Sequence, residues 1–125
     1  MKAQVVMEFC VILAAIAIFC IIIIVALNYK FGEIRDESSY LKQRESLRKI
    51  HAEITLASVS RYGYIRNFTT PKDIDGSDYN LSIKGSYVVL SYASRQISFL
   101  IPNVSGDIKK GENMIKNEEG RIILN

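Results

Sequence analysis

Three carboxylates in one short segment have the spacing that comes closest to a metal site. Asp73, Asp75 and Asp78 lie in the run D-I-D-G-S-D, and alternating carboxylates next to a glycine are typical of the start of a calcium-binding loop. Such a loop also needs a glutamate at its end to bind the ion with both oxygens, and none stands at the required spacing. The sequence therefore predicts a solvated turn here, with no metal and no cofactor.

The other residue types that often do chemistry stand alone or lie in apolar surroundings. His51 has no second histidine or cysteine near it in the sequence, so a surface or packing role is predicted for it. Cys10 and Cys20 lie in one apolar run, and ten helical residues would separate them by roughly 15 Å, which is too far for a disulfide. No G-x-S-x-G motif, no cysteine in the polar part and no glycine-rich phosphate loop is present. No catalytic residue is predicted, and the chain is not expected to be an enzyme.

Glu8 is a carboxylate at the threshold of a long apolar run. No lysine or arginine stands three or four residues from it to form an ion pair within one helix. A carboxylate at the edge of a membrane helix is costly and is a candidate functional group. The alternative is that Glu8 is hydrated at the level of the lipid headgroups and is stabilised by the dipole of its own helix. The chemistry alone leaves both interpretations open.

Three Asn-x-Ser/Thr motifs are possible N-glycosylation sites. They begin at Asn67, Asn80 and Asn103, all in the C-terminal half of the chain. Modification at such a motif occurs on surface segments of translocated proteins. The three motifs therefore favour an extracellular location for that half.

The apolar run covers residues 9–27, nineteen residues without a charge or a hydroxyl. At ~1.5 Å per residue it spans roughly 29 Å as a helix, close to the hydrocarbon thickness of a bilayer. The run is longer than the apolar region of a secretory signal peptide, and no small-residue cleavage pattern follows it. We therefore expect a retained single membrane span, which excludes a polytopic transporter.

Nearly all of the charge lies after this run. Of the 16 Lys/Arg and 13 Asp/Glu in the 125-residue chain, all but Lys2 and Glu8 lie in residues 30–125. Positive and negative residues are interspersed there, so a nucleic-acid partner is not expected. A part of this size builds only a small core, which disfavours an enzyme with an enclosed active site.

The polar part divides into a helix and a β-rich head. Residues 30–61 are predicted to form an amphipathic helix, with Gly32 as a bend or a cap of the first helix. Its expected apolar stripe consists of Phe31, Ile34, Leu41, Leu47, Ile50, Ile54 and Ala57.

Residues 62–125 are predicted to form short strands: one in 62–70, a meander in 79–101, and a hairpin that pairs 113–116 with 121–124 across Glu118-Glu119-Gly120. Residues 102–111 are expected to be a loop. The predicted fold class is α+β, with a long N-terminal helix packed on a small antiparallel sheet.

The N-terminus resembles a known family. Lys2-Ala3-Gln4, followed by Glu8-Phe9 and the apolar run, is similar to the class III signal peptide of archaeal type IV pilin-like proteins, although Val6 stands where a serine is common. The head also resembles this family in Gly63-Tyr64, the turn from Pro71 to Gly76, the strand that starts at Tyr79, and the late Gly-x-Asn-x-Ile segment from Gly111 to Ile115.

The resemblance implies a processed subunit of a surface filament. A prepilin-type peptidase would cut between Ala3 and Gln4, which gives a leader of residues 1–3, a membrane and assembly helix of residues 4–29, the amphipathic helix and the head. Gln4 would become the N-terminus, and its amine is the expected partner of Glu8 on an adjacent subunit. The implied partners are the peptidase, other pilin-like subunits and, before assembly, membrane lipids.

Two points of function stay open at the level of sequence. The alternative to a filament subunit is a processed single-pass protein that stays in the membrane as an accessory or adhesin and does not polymerise. The basic residues after the span would place the head in the cytoplasm by the positive-inside rule, but that rule weakens for long translocated domains. The N-terminal signature and the glycosylation motifs favour a head outside the cell.

Overall fold

The computed structural model describes all residues from Met1 to Asn125. One helix precedes seven strands, and their bounds are α1 Lys2–Val59, β1 Tyr64–Thr70, β2 Asn80–Lys84, β3 Tyr87–Tyr92, β4 Arg95–Leu100, β5 Val104–Gly106, β6 Gly111–Glu118 and β7 Arg121–Leu124. The chain forms two compact units, Met1–Ser38 and Ser39–Asn125. The predicted α+β class, with a long apolar N-terminal helix and a small β-sheet part, is confirmed.

The first unit is helical from Lys2 onward. Every side chain in it is exposed, including all of residues 9–27. Gly32 lies inside the helix and neither ends it nor caps it. Glycine destabilises a helix interior by about 1 kcal/mol relative to alanine, and the helical residues on both sides of Gly32 outweigh this cost.

The second unit contains two sheets rather than the single antiparallel sheet that was expected. One has the order β1-β6-β7-β5, and the other is the meander β2-β3-β4. All neighbouring strands are antiparallel except β5 and β7, which pair in parallel. The extra strand β5 lies in residues 102–111, which were expected to be a loop. There Val104 pairs with Ile122 and Gly106 with Leu124.

The hairpins of both sheets close through two-residue loops. The meander strands meet at Lys84 and Tyr87 and again at Tyr92 and Arg95. The last hairpin closes at Glu118 and Arg121, and both of its loop residues have a positive φ, 52° at Glu119 and 83° at Gly120. Two consecutive positive φ angles are characteristic of the type I′ turn, whose twist matches the twist of paired strands. The predicted meander is confirmed. The last hairpin forms as expected in residues 121–124, but its register differs by two residues: 115–118, rather than 113–116, pair with 121–124, because the loop consists of Glu119 and Gly120 alone.

The helix in the second unit buries one face against the head. The buried positions are Ser39, Gln43, Leu47, Ile50, Ile54 and Ala57. The expected stripe is therefore correct from Leu47 onward and wrong before it, because Leu41 is 55% exposed while Gln43 is 1% exposed. Phe31 and Ile34, in the first unit, are also exposed. The covered face continues through Ser39 and Gln43 because the segment after β1 reaches the helix at that level, where Asp75 accepts a hydrogen bond from Ser39 at 2.7 Å.

The end of α1 is held by a side chain of β6. Asn117 is 2% exposed, and its Nδ2 donates to the carbonyl oxygens of Ala57 at 2.8 Å and Ser60 at 3.1 Å. Its Oδ1 accepts a hydrogen bond from Gly120 at 3.1 Å. The last carbonyls of a helix have no partner within the helix. Asn117 therefore terminates α1 at Val59, two residues before the expected end, and joins it to the last hairpin.

Candidate functional site

The N-terminal signature lies on the exposed start of α1. Ala3 and Gln4 are in the first turn of the helix, and both are exposed. Gln4 and Glu8 stand one helical turn apart and line the same shallow surface, together with Met7, Val11 and Ile12. Side chains at positions i and i+4 lie on one face of a helix. The structure thus brings the predicted cleavage position and the predicted charge partner together on one helical face.

Glu8 has no ion pair and no hydrogen bond within the chain. The only salt bridge in the first unit joins Lys30 and Glu33 at 2.9 Å, just beyond the apolar run. The Glu8 side chain is exposed on the outer surface of the helix. Any partner of this carboxylate must therefore be lipid, water or another molecule.

The apolar run is covered by nothing in the chain. Its helix is long and apolar enough to cross a membrane, with a mean hydropathy of 3.5 in the most apolar window and none of that window buried. Cys10 and Cys20 are both free and exposed within this run. Large exposed apolar surface is a mark of contact with a membrane or another protein. This part of the chain is compatible with a single membrane-spanning segment.

A second apolar surface lies on α1 in the second unit, on the face that does not pack against the head. We call it the open face. Its residues follow helical spacing and are all exposed: Leu41, Glu45, Arg48, Ala52, Leu56 and Val59. Val59 is 76% exposed and Leu56 is 42% exposed. The buried positions of the helix stand about half a turn away from these residues. The helix therefore presents apolar side chains on two faces, of which the head covers one.

The three aspartates of the acidic segment after β1 are exposed, as expected for a solvated turn, and the segment also contacts the helix. Asp75 accepts hydrogen bonds from Ser39 and Lys42 on the helix, and Asp78 forms an ion pair with Lys110. Asp73 accepts a hydrogen bond from the backbone of Gly76 at 3.2 Å. The hydrogen bond and charge of Lys110 lower the pKa of Asp78 below its ordinary value. The three carboxylates have separate partners, so they do not converge on one point where an ion would sit.

His51 packs against the head, and the asparagines of the three glycosylation motifs are exposed on it. The His51 ring packs against the Phe99 ring, with a centroid distance of 5.8 Å, which confirms a packing role. Asn67, Asn80 and Asn103 are all exposed. Each acceptor amide is thus open to solvent in the folded head.

Buried polar side chains of the head were missed at the level of sequence. Asn113 is 3% exposed; its Nδ2 donates to the carbonyl of Lys109 at 2.7 Å, and its Oδ1 accepts from the backbone N–H of Lys109 at 2.8 Å. Thr70 donates to the same carbonyl at 2.8 Å. The only signal in the sequence was the alternation of Asn113, Ile115 and Asn117 along one strand, which marks residues of one sheet face.

A function for this chain has to be inferred from its own residues and geometry. No protein-family model, no curated protein and no solved structure matches the chain. The features that bear on function are the exposed N-terminal signature, the uncovered apolar helix and the head with its three accessible asparagines.

Proposed function

We propose that this chain is a prepilin-like structural subunit of an archaeal type IV pilus-like surface filament. A prepilin-type peptidase removes residues 1–3 by cutting between Ala3 and Gln4, and the retained helix anchors the subunit until assembly. The observation that carries the proposal is the Lys2-Ala3-Gln4 and Glu8 signature, which stands on the exposed first turns of a helix whose apolar run has no cover.

The uncovered helix supports an assembly role because it needs two successive environments. Apolar surface in water costs about 25 cal/mol per Å², so the exposed run of residues 9–27 must lie in lipid or against other helices. Before assembly the bilayer covers it. In the filament the helices of neighbouring subunits take the place of lipid, and the open face of the head-bearing segment extends the apolar contact.

Glu8 couples processing to assembly in this proposal. A bare carboxylate within a bundle of apolar helices costs several kcal/mol unless a cation pairs with it. Cleavage before Gln4 creates such a cation, the new α-amine. Gln4 and Glu8 share one helical face, so the amine of one subunit and Glu8 of a staggered neighbour would meet across an interface between helices. This pair would set the axial register of the filament.

The head is extracellular in this proposal, and its asparagine motifs carry N-linked glycans. Exposure of Asn67, Asn80 and Asn103 supports the second statement, since each acceptor is accessible in the folded head. The filament core would then be formed by the helices and the outer surface by the heads. The protein acts through assembly, and neither a cofactor nor nucleic acid takes part.

The charge pair is tested by the substitution Glu8→Gln, which keeps the size of the side chain and removes its charge. We expect membrane insertion and cleavage to persist, while incorporation into sheared surface filaments falls sharply. The matched control is Glu33→Gln, which removes the same charge from an exposed position of the same helix beyond the apolar run. Normal incorporation of Glu8→Gln would contradict the charge pair.

A second candidate function is a processed accessory or adhesin protein that stays in the membrane. The observation that favours it is the interruption of the open face by two exposed charges, Glu45 and Arg48, because charges oppose continuous apolar packing between helices. Cell fractionation separates the two candidates: a filament subunit is recovered in sheared filaments, and a resident protein stays in washed membranes.

A further inference from the structure

The two sheets of the head have four edge strands. The order β1-β6-β7-β5 leaves β1 and β5 at the edges of one sheet, and the order β2-β3-β4 leaves β2 and β4 at the edges of the other. An edge strand presents unpaired backbone N–H and C=O groups, which can pair with a strand of another molecule. Natural proteins protect such edges with short strands, prolines, charges or a covering group.

Three of these four edges carry one of the glycosylation motifs. Asn67 is the central residue of β1, Asn80 is the first residue of β2, and Asn103 directly precedes β5. The remaining edge strand, β4, contacts the helix through its side chains, since Phe99 packs on His51 and Arg95 lies over the Tyr40 ring at 6.0 Å. Of the edges that carry a motif, β1 also contacts the helix, through the ion pair of Arg66 with Glu53 rather than through aromatic rings.

The strand register places two of the acceptors, Asn67 and Asn80, on the outer faces of the sheets. Asn67 pairs with exposed Met114, whereas its neighbour Phe68 pairs with buried Asn113. Asn80 pairs with Ser91, whereas the next residue of β2 pairs with buried Leu90. Residues that alternate along a strand point to opposite faces. A glycan at either position would leave the sheet on its solvent side and would not disturb the core.

β1 is the edge with the greatest need of protection. It is seven residues long and contains no proline and no lysine. Its one charged side chain, Arg66, forms an ion pair with Glu53 at 3.2 Å, and Ile65 is 61% exposed. β5, in contrast, has only three residues. Long apolar edges promote pairing between molecules, most of all where heads are held close together.

We propose that N-linked glycans at Asn67, Asn80 and Asn103 cover three sheet edges and prevent strand pairing between neighbouring heads. This inference rests on the proposed extracellular head but not on the filament itself. Membrane anchoring or assembly brings the heads close together. The glycans prevent contacts between heads, so that subunits associate only through their helices.

The modification is a transfer from a lipid-phosphate-linked oligosaccharide. The Nδ2 atom of the asparagine displaces the lipid phosphate from the anomeric carbon of the sugar. A bond forms between this nitrogen and the anomeric carbon, the carbon–oxygen bond to phosphate breaks, and the amide nitrogen releases one proton. The phosphate leaves on its lipid, and no oxidant or reductant is needed.

The test compares Thr69→Ala with Thr69→Ser in the full-length chain, produced in an archaeal host that N-glycosylates its surface proteins. Both variants change the same exposed side chain, but only Thr69→Ala destroys the motif at Asn67. Glycopeptide mass spectrometry measures occupancy, and size-exclusion chromatography with light scattering in mild detergent measures self-association. We expect Thr69→Ala to lose the glycan and to show a severalfold larger oligomer fraction, while Thr69→Ser stays like the unsubstituted chain.

A further substitution assigns the association to the β1 edge. Ile65→Lys places a charge on the exposed side of that strand, and in the Thr69→Ala background we expect it to restore the low oligomer fraction. The proposal is overturned if Asn67 carries no glycan in the unsubstituted chain, or if Thr69→Ala associates no more than Thr69→Ser. A glycosylated protein that behaves as expected here but never enters filaments would refute the filament proposal alone.

Discussion

Replacement of Asn117 by alanine is expected to detach the end of α1 from the head. The substitution removes three hydrogen bonds: one to the carbonyl of Ala57 in the last turn of α1, one to the carbonyl of Ser60 just after the helix, and one from the backbone of Gly120. A buried group left without its partner costs about 1–3 kcal/mol. The bond to Ala57 is buried, so its loss has this full cost. Ser60 and Gly120 lie nearer to solvent, and water replaces much of their loss. We therefore expect a destabilisation of about 2–3 kcal/mol.

The assay is urea unfolding of the head-bearing fragment from residue 31 onward, followed by circular dichroism. Asn117→Asp serves as the informative comparison, since it keeps the acceptor for Gly120 but places a carboxylate against the two carbonyls; it should be at least as harmful as alanine. The exposed position next to it in the last hairpin, Glu118→Ala, is the control and should lie within about 0.5 kcal/mol of the unsubstituted fragment. If Asn117→Ala is as stable as this control, the account of how α1 ends is wrong.

Three further predictions test the architecture of the head. The fragment of residues 31–125 should be soluble and melt cooperatively, with mixed helix and strand in its circular dichroism; an unfolded or aggregated fragment would contradict the packing of sheets on the helix. Gly106→Ala should destabilise this fragment by more than about 1 kcal/mol, because Gly106 has a φ of 102° and an added Cβ would lie 2.0 Å from the carbonyl oxygen of Leu124; an unchanged urea midpoint would argue against the parallel pairing of β5. Burial raises the pKa of Tyr79, so the stability this residue contributes is complete below its ordinary pKa of about 10 and is lost as the pH rises through the raised value. Tyr79→Phe should therefore reduce the loss of stability in alkali, measured by urea unfolding at a series of pH values; an unchanged alkaline loss would contradict this prediction.

The sequence predicted the helix and the strands that are determined by the residue pattern of their own segment. The strand β7 was predicted with its correct bounds and β3 as part of the meander, because apolar and β-branched residues stand there between short turn segments. The helix was predicted from the apolar run of residues 9–27, the helical spacing of apolar residues after that run, and the absence of proline before Pro71. These signals do not depend on which distant segment packs against the element.

What depends on distant contacts was not predicted. Leu41 was expected to be buried and Gln43 was not part of the expected stripe, whereas Leu41 is exposed and Gln43 is buried because the segment around Asp75 meets the helix at Ser39. The strand β5 was missed because three residues next to a proline give no strand pattern, and only the parallel pairing with β7 orders them. Asn117 could not be recognised because a buried asparagine and an exposed one look alike until the helix end lies beside it.

For the candidate site, too, the local motifs were predicted from the sequence and their arrangement in space was not. Ala3, Gln4 and Glu8 were recognised from the N-terminal signature, and the structure adds that Gln4 and Glu8 share one exposed face. The asparagine motifs were read from the chain as single sites, whereas their positions at sheet edges follow only from the strand order. The motif identifies which asparagines are candidates for modification, and the strand order places them at sheet edges.

The most direct test of the proposed function is the N-terminal mass of the protein in sheared surface filaments of the cell that produces it. The account predicts that the protein is present in these filaments and that its first peptide begins at Gln4. Recovery only in washed membranes would contradict a filament subunit, and a filament protein that begins at Met1 or after residue 27 would contradict processing at Ala3–Gln4.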